Sequence, residues 1–468
     1  MIAEKTKEES FRDSISTVDE EGKRKWIFPK KPSGRYTKMR TWVSYFLLAF
    51  LFLAPFVRIG GQPLLQFNLI DRKFILFGQI FWPQDFHLFV LSMITLVVFI
   101  TLFTVVYGRI FCGWVCPQTI FMENVFRKIE YAIDGDWKAQ MKLKKSGWTK
   151  EKIRKRVLKH SIFFAISFLI ANTFLAYIIG SEALLEIMTD PPAEHTGGLA
   201  AITIFSAVFY GVFAFFREQV CIAVCPYGRL QGVLLDRQSV VVAYDHFRGE
   251  SRGKFRKNEV REEVGKGDCI DCGHCVHVCP TGIDIRNGTQ LECINCTACI
   301  DACDSMMEAV NLPKGLIRYT SEEQIQTRKP FELSVRAKAY TVVLALLVGV
   351  VVTLLVTRTE IEAIILRTPG MLYQTTEEGD ISNLYNYKIV NKTNHDLVLD
   401  FVPLEEGFDL NVIGNNLELN KQEVLEGAFF LSAPEEAFDK GKALTKIGIY
   451  DQNGELIEKV KMRITGPL

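Results

Sequence analysis

All twelve cysteines of this 468-residue chain fall into four short clusters. Cys269, Cys272, Cys275 and Cys279, followed by Pro280, spell C-x2-C-x2-C-x3-C-P. Cys293, Cys296, Cys299 and Cys303 repeat the spacing a short loop later, with Asp304 in place of the proline. Each x2 spacing lets backbone amides curl around an inorganic core while three sulfurs point inward. In two-cluster ferredoxins the fourth cysteine of each run serves the other cluster. The expectation is therefore two [4Fe–4S] clusters, one on Cys269, Cys272, Cys275 and Cys303, the other on Cys293, Cys296, Cys299 and Cys279. Zinc also accepts C-x2-C pairs and takes four ligands per site, but eight cysteines in this duplicated spacing favour iron and sulfide. His274 and His277 lie between the cysteines and read as exposed loop residues.

The remaining cysteines make two C-x3-C-P motifs: Cys112 and Cys116 before Pro117, and Cys221 and Cys225 before Pro226. An i,i+4 spacing places each pair on one helix face, with the proline bending or breaking the helix. Soft thiolates suit Cu(I), zinc or iron–sulfur clusters, whereas free cysteines often serve as small buried hydrophobes. Two identical motifs at the same kind of boundary, each with an arginine upstream, favour function. Arg109 and Arg217 either lower a thiol pKa by proximity or anchor a helix end. Each half of the chain runs span, loop, span, Arg, C-x3-C-P. A parallel repeat of this kind brings equivalent sites together at a bundle interface.

The elements that hold these motifs are apolar. Five stretches approach the roughly 20 residues a membrane helix needs: Trp42–Val57, with Pro55 inside it, His87–Tyr107, His160–Ile179, Leu199–Phe216 and Tyr340–Val356. Lys and Arg crowd the N-terminal tail and the second connection, including Lys142, Lys144, Lys145, Arg154 and Arg156. Ser181–Gly198 has none, only Glu182, Glu186, Asp190 and Glu194. Basic loops stay inside, so the N-terminus and residues 217–338 are expected in the cytoplasm and the C-terminus outside. A reducing compartment suits free thiolates. The polar start of the chain shows no cleavable signal peptide. Trp82-Pro-Gln-Asp85 reads as an interfacial anchor, His160 as structural, and Tyr244–Arg252 as a solvated linker. Beyond Arg358, alternating runs such as Leu397–Val402 and Lys459–Ile464, with a turn at Asp451–Gly454, read as strands of a small β-sandwich. The net charge of +1 and hydrophobic content of 48% set no class by themselves. The boundaries drawn are a tail (1–40), four transmembrane helices (41–216), the ferredoxin domain (217–338), a fifth span (339–357) and the outer domain (358–468).

The combination resembles the cytochrome c oxidase accessory proteins of the FixG/CcoG/RdxA family. It rests on Phe81–Phe86, the run Gly108–Pro117, Cys221–Pro226, Tyr244 and Asp245 with Arg248–Glu250, and both ferredoxin runs, Asp304 included. The resemblance implies a multi-domain membrane protein with a five-helix transmembrane bundle, a cytoplasmic bacterial-type 2[4Fe–4S] ferredoxin insert and a C-terminal all-β, immunoglobulin-like sandwich. It implies reduction of Cu(II) to Cu(I) for assembly of a cbb-type oxidase in the bacterial inner membrane. The partners would be oxidase assembly factors and copper carriers. Copper would be substrate or ligand at the catalytic set Cys112, Cys116, Cys221 and Cys225, although a further cluster or a transient disulfide there stays open. The chain has no nucleotide-binding glycine fingerprint, so a separate cytoplasmic electron donor is implied, and no nucleic acid is expected. A quinol-oxidising electron conduit and a non-redox assembly scaffold are the alternative classes.

Overall fold

The computed structural model describes residues 17–18, 21, 23–68, 73–81, 85–257, 259–358, 361–370, 372–376, 379–393, 395–414, 417–421, 423–452 and 454–467. Contacts divide the chain into two units, Met1–Phe56 with Val90–Val350 and Val57–Phe89 with Val351–Leu468.

Among the described residues, four helices are long and apolar enough to cross a membrane: His87–Tyr107, Lys150–Ile179, Thr196–Phe216 and Val335–Val356. The fifth expected span, Trp42–Val57, is not among them. Its helix is Arg35–Leu53, which ends before Pro55 and devotes its first turns to Arg35, Lys38 and Arg40. The third span is longer than expected. Thr149 caps it by accepting from the Lys152 amide, and a basic stretch from Lys150 continues into the apolar part. The supposed loop Ser181–Gly198 contains a helix, Ser181–Thr189.

In the first unit, an aromatic core joins the third and fourth spans to the segment after Cys116. Phe126 stacks on Phe213 at 4.5 Å between ring centroids and meets Phe163 edge-on. Three stretches here are π-helical: Ile120–Phe126, Val212–Phe216 and Val220–Val224. Such turns are rare and gather at functional sites.

The ferredoxin portion is closed by an antiparallel pair, Val241–Tyr244 with Ile317–Thr320. Its core packs Val242, Ile283, Ile300, Met307 and Leu316 around Cys269, Cys275 and Cys303. The Tyr244–Arg252 segment is thus part of this fold rather than a solvated linker. Asp245 pairs with Arg318 at 2.9 Å, and Arg248 pairs with Asp268. The Arg35–Leu53 helix starts on the ferredoxin surface. Asp301 accepts from the amides of Tyr36 (3.0 Å) and Thr37 (2.7 Å), and buried Arg40 donates to the Cys296 carbonyl at 2.7 Å. A carboxylate on exposed helix-start amides is the usual answer to their missing partners.

The second unit is a β-sandwich. One sheet centres on Ile381–Asn391, paired antiparallel with Val424–Ala433 and Ile361–Arg367. The other joins Asp400–Pro403, Lys442–Tyr450 and Leu456–Thr465. Ala443, Ile447 and Ile449 on alternate positions bury against Tyr385, Ile389, Phe429 and Leu431 of the facing sheet. The Asp451–Gly454 turn joins the last two strands, with the Gly454 amide donating to Asp451; Asn453 lies outside the described residues. The connection 57–89 belongs to this unit. Strands Leu65–Asn68, Lys73–Leu76 and Gln79–Phe81 form a meander, and Ile75 and Ile80 pack on Val390. Trp82, Pro83 and Gln84 lie outside the described residues. Asp85 is buried and accepts from Lys392 at 2.8 Å and Arg358 at 2.7 Å.

Candidate functional site

The two ferredoxin runs share one backbone device. In the first, Asp271 and Gly273 flank Cys272 with φ of 53° and 66°; in the second, Asn295 and Thr297 flank Cys296 with 53° and 65°. Two left-handed residues around the middle cysteine turn successive amides to one side, the concave form that suits the net negative charge of a core with its thiolate ligands. The second run keeps that conformation without glycine. Asn295 accepts from the Val242 amide at 3.2 Å, and the Thr297 hydroxyl donates to the Cys296 carbonyl at 2.6 Å.

The thiols then sort by neighbour. Burial pushes Cys303 up to about 12, with Cys275, Cys272 and Cys269 opposing its charge further. Burial likewise pushes Cys293 up to about 12, with Cys296 and Cys279 adding to the effect. Cys299 is raised by burial and then by Cys296, Cys293 and Cys279. A cavity lined by Cys275, Cys279, Cys293, Cys296 and Cys299 lies between them. Thiols held protonated by burial and mutual repulsion would lose those protons to solvent as their sulfurs bound a cationic iron–sulfide core, so the donor sets fit iron–sulfur clusters. Of the twelve cysteines, Cys272 is the exposed one.

The C-x3-C-P motifs are built alike but not on single helices. Ile110–Trp114 ends before Cys116, and Cys116 instead stands at the N-cap of the next helix, with Pro117 as its first residue. Cys225 stands the same way before Pro226, after Val220–Val224. This corrects the one-face expectation: a residue before proline is driven out of the helical region, so the break falls ahead of the second cysteine. In each motif its amide reaches back five residues, Cys116 to the Phe111 carbonyl (2.9 Å) and Cys225 to that of Val220 (2.7 Å). In each, the residue four before the first cysteine has positive φ, Gly108 at 56° and Arg217 at 55°.

The structure brings the two motifs together. Cys112 Sγ donates to Gln231 Oε1 at 3.3 Å, and Gln118 Nε2 donates to the Arg217 carbonyl at 3.4 Å. Phe111 meets Tyr227 edge-on at 6.1 Å. Burial pushes Cys221 up to about 12, and Cys116, Cys112 and Cys225 all add to it. Cys112, pushed up to about 11 by burial, is eased by Arg109 and opposed by Cys116 and Cys225.

This quartet also abuts the second ferredoxin quartet. Cys112 packs on the group formed by Val278, Ile294, Cys296, Ala298 and Ala302. Gly113 makes the approach possible, because a Cβ there would lie 2.5 Å from the Ile294 carbonyl oxygen. Arg109 donates to the Leu291 carbonyl, and its charge eases both Cys112 and Cys293. The two arginines therefore differ. Arg109 stands between thiol sets, whereas Arg217 forks onto Glu130 with two bonds of 2.7 Å. Glu130, Lys159, Asp134, Arg127 and Glu218 extend this buried ion network. His160 accepts or donates at Tyr210 (2.9 Å), and His277 stacks on Trp137 at 4.9 Å, both packing roles.

Three segments of the chain match families of known proteins. Residues 216–322 match a 4Fe-4S dicluster domain, residues 89–140 a 4Fe-4S binding domain, and residues 351–467 the IG-like fold at the C-terminal of FixG. Protein RdxA of Cereibacter sphaeroides is 37% identical over 79% of this chain and 80% of its own length. The chain belongs to the FixG/RdxA family. RdxB of the same organism is 34% identical over 79% of the chain and 80% of its own length. The nitrogen fixation protein FixG of Rhizobium meliloti is 39% identical over 64% of the chain and 58% of its own. This FixG/RdxA member is an iron–sulfur electron-transfer protein with apolar, membrane-type helices. Its sequence did not single out Gly113, Gln231, Asn295 or Glu130. The glycine inside C-G-W-V-C was the one local signal, since a glycine between two functional residues often marks close backbone approach.

Proposed function

We propose that this protein is a multi-pass protein of the bacterial inner membrane that reduces Cu(II) to Cu(I) for assembly of a cbb-type cytochrome c oxidase. Cys269, Cys272, Cys275 and Cys303 hold one [4Fe–4S] cluster, and Cys279, Cys293, Cys296 and Cys299 the other. When bound, these clusters supply one-electron transfer at low potential. The observation that carries the reading is adjacency. Cys272 of the first set is the exposed cysteine, and on the second set Cys112 packs against the group that contains Cys296. A cytoplasmic donor docks on the Cys272 side, and electrons leave on the side of Cys112, Cys116, Cys221 and Cys225. Cu(II) reaching that side takes one electron to become Cu(I). Oxidase assembly factors and copper carriers receive the product.

Chain topology supports a fifth crossing by Arg35–Leu53. Tyr36, Thr37 and Arg40 bond ferredoxin residues, whereas Ile75, Ile80 and Asp85 pack on the β-sandwich. If the helix after Asp85 crosses a membrane to bring Cys112 back to the ferredoxin, the chain before Val57 has crossed it outward. The ferredoxin and N-terminal tail are then cytoplasmic and the sandwich periplasmic, in keeping with the basic loops.

The test is EPR of anaerobically purified, reduced protein, freed of reductant, before and after stoichiometric Cu(II). Loss of the cluster signal with no Cu(II) signal appearing supports copper reduction. Both signals persisting together removes copper as the acceptor.

A further inference from the structure

We infer that Cys112, Cys116, Cys221 and Cys225 form one site for a third iron–sulfur cluster. The two repeats supply two ligands each, in the same backbone frame. They are held together by contacts that cross between repeats, Cys112 to Gln231 and Gln118 to Arg217. Gly228 tightens the frame, since a Cβ there would lie 2.9 Å from the Cys221 carbonyl oxygen and 3.5 Å from Arg109 Nη2.

The spacing of the sulfurs does not match a single ion held by three or four of these thiolates. At a metal–sulfur distance of about 2.3 Å, two thiolates on one tetrahedral ion stand about 3.8 Å apart. Among the described residues no three of these thiols have sulfurs within 4.8 Å of one another. The two ferredoxin quartets, inside the segment matched as a dicluster domain, fall outside the same limit. The polar surroundings suit the net negative charge of a thiolate-ligated cluster. The Gln118 and Thr119 amides point at the Cys116 sulfur. Arg109 Nε is buried with no hydrogen-bond partner, and such a donor is costly unless something accepts from it. Finally, residues 89–140 match a 4Fe-4S binding domain yet contain only Cys112 and Cys116. A cluster there must draw its other ligands from elsewhere, and Cys221 and Cys225 are the thiols at hand.

Loading transfers a preformed [4Fe–4S]2+ core and releases the four thiol protons, with no change in oxidation state. The site then gains or loses one electron at a time. This deepens the electron-exit reading above but does not depend on copper being the acceptor.

The experiment is iron and acid-labile sulfide per chain on the full-length protein, reconstituted anaerobically, with EPR of the reduced form. Wild type should hold about twelve irons, three four-iron clusters. Cys112→Ser and Cys225→Ser, one in each repeat, should each fall to about eight and keep the paired-cluster EPR of the ferredoxin, which also reports that they fold. Wild type at about eight irons, with the four thiols alkylated or binding one copper per chain, overturns the proposal. So does a wild type at about twelve irons whose two variants keep all of them. A count of about twelve beside failed Cu(II) reduction removes the copper reading and leaves this one standing.

Discussion

Replacing Glu130 by Gln tests whether the buried ion network, rather than the thiols, is what Arg217 serves. Glu130 is 3% exposed. Burial raises its pKa, but the Arg217 charge and hydrogen bonds, then Lys159 and Arg127, outweigh burial and hold it at about 2, against 4.5 unperturbed. At 1.36 kcal/mol per unit the gap is worth about 3 kcal/mol. The folded pKa lies below the unfolded one, so this stability is whole above pH 4.5 and is lost as pH falls towards 2. Glutamine removes it at every pH and leaves Arg217 and Lys159 charged and buried, a change that costs about 3–5 kcal/mol. The assay is apparent thermal unfolding of the detergent-solubilised protein, followed by tryptophan fluorescence. Glu130→Gln should melt well below wild type at pH 7, and the difference should narrow as pH falls below 4.5. Arg217→Gln should cost a similar amount, and the double variant much less than the two together. Additive losses, or single variants within about 0.5 kcal/mol of wild type, would refute the pairing.

Gly113→Ala should part the helix before Cys116 from the ferredoxin loop. Its Cβ would sit 2.5 Å from one backbone oxygen and 2.9 Å from another, and overpacking of this kind costs about 1–3 kcal/mol. Stopped-flow reoxidation of the reduced clusters should slow with iron content unchanged; a wild-type rate would show that the contact is not on the electron route. Asp301→Ala removes the acceptor for the Tyr36 and Thr37 amides, about 1–2 kcal/mol by analogy with helix caps. Limited proteolysis of the basic tail should then accelerate. In the outer unit, Lys392 and Arg358 together outweigh burial and lower the Asp85 pKa. Asp85→Asn should therefore destabilise the sandwich by about 3 kcal/mol at neutral pH. Wild type should lose the same support in acid, below the usual aspartate range, as calorimetry of the two can show.

The chemistry was legible because ligand spacing is local. C-x2-C-x2-C-x3-C is a statement about a dozen residues and needs no knowledge of the fold. The sandwich was legible for a related reason, since alternation along Lys442–Tyr450 is itself the burial pattern. What failed to show was tertiary. The strands between Leu65 and Phe81 are short, and their partner Val390 lies three hundred residues away, so they read as a loop. The start of the first apolar helix was misplaced because apolar content from Trp42 onward hid a helix that starts seven residues earlier and spends its basic end on Cys296 and Asp301.

The repeat is the instructive case. Matching by residue type pairs Arg109 with Arg217, each just upstream of a C-x3-C-P motif. Matching by backbone pairs Gly108 with Arg217, both four residues before the first cysteine and both at positive φ. Glycine adopts that conformation freely, whereas an arginine there costs on the order of 1–3 kcal/mol. Glu130 offsets that cost, since its fork onto Arg217 and the bond from the Arg217 amide to the Val212 carbonyl hold the turn in place. The second repeat thus reaches by ion pairing the turn that the first reaches with a glycine. Its arginine faces away from electron transfer, leaving Arg109 as the cation shared by the two thiol sets.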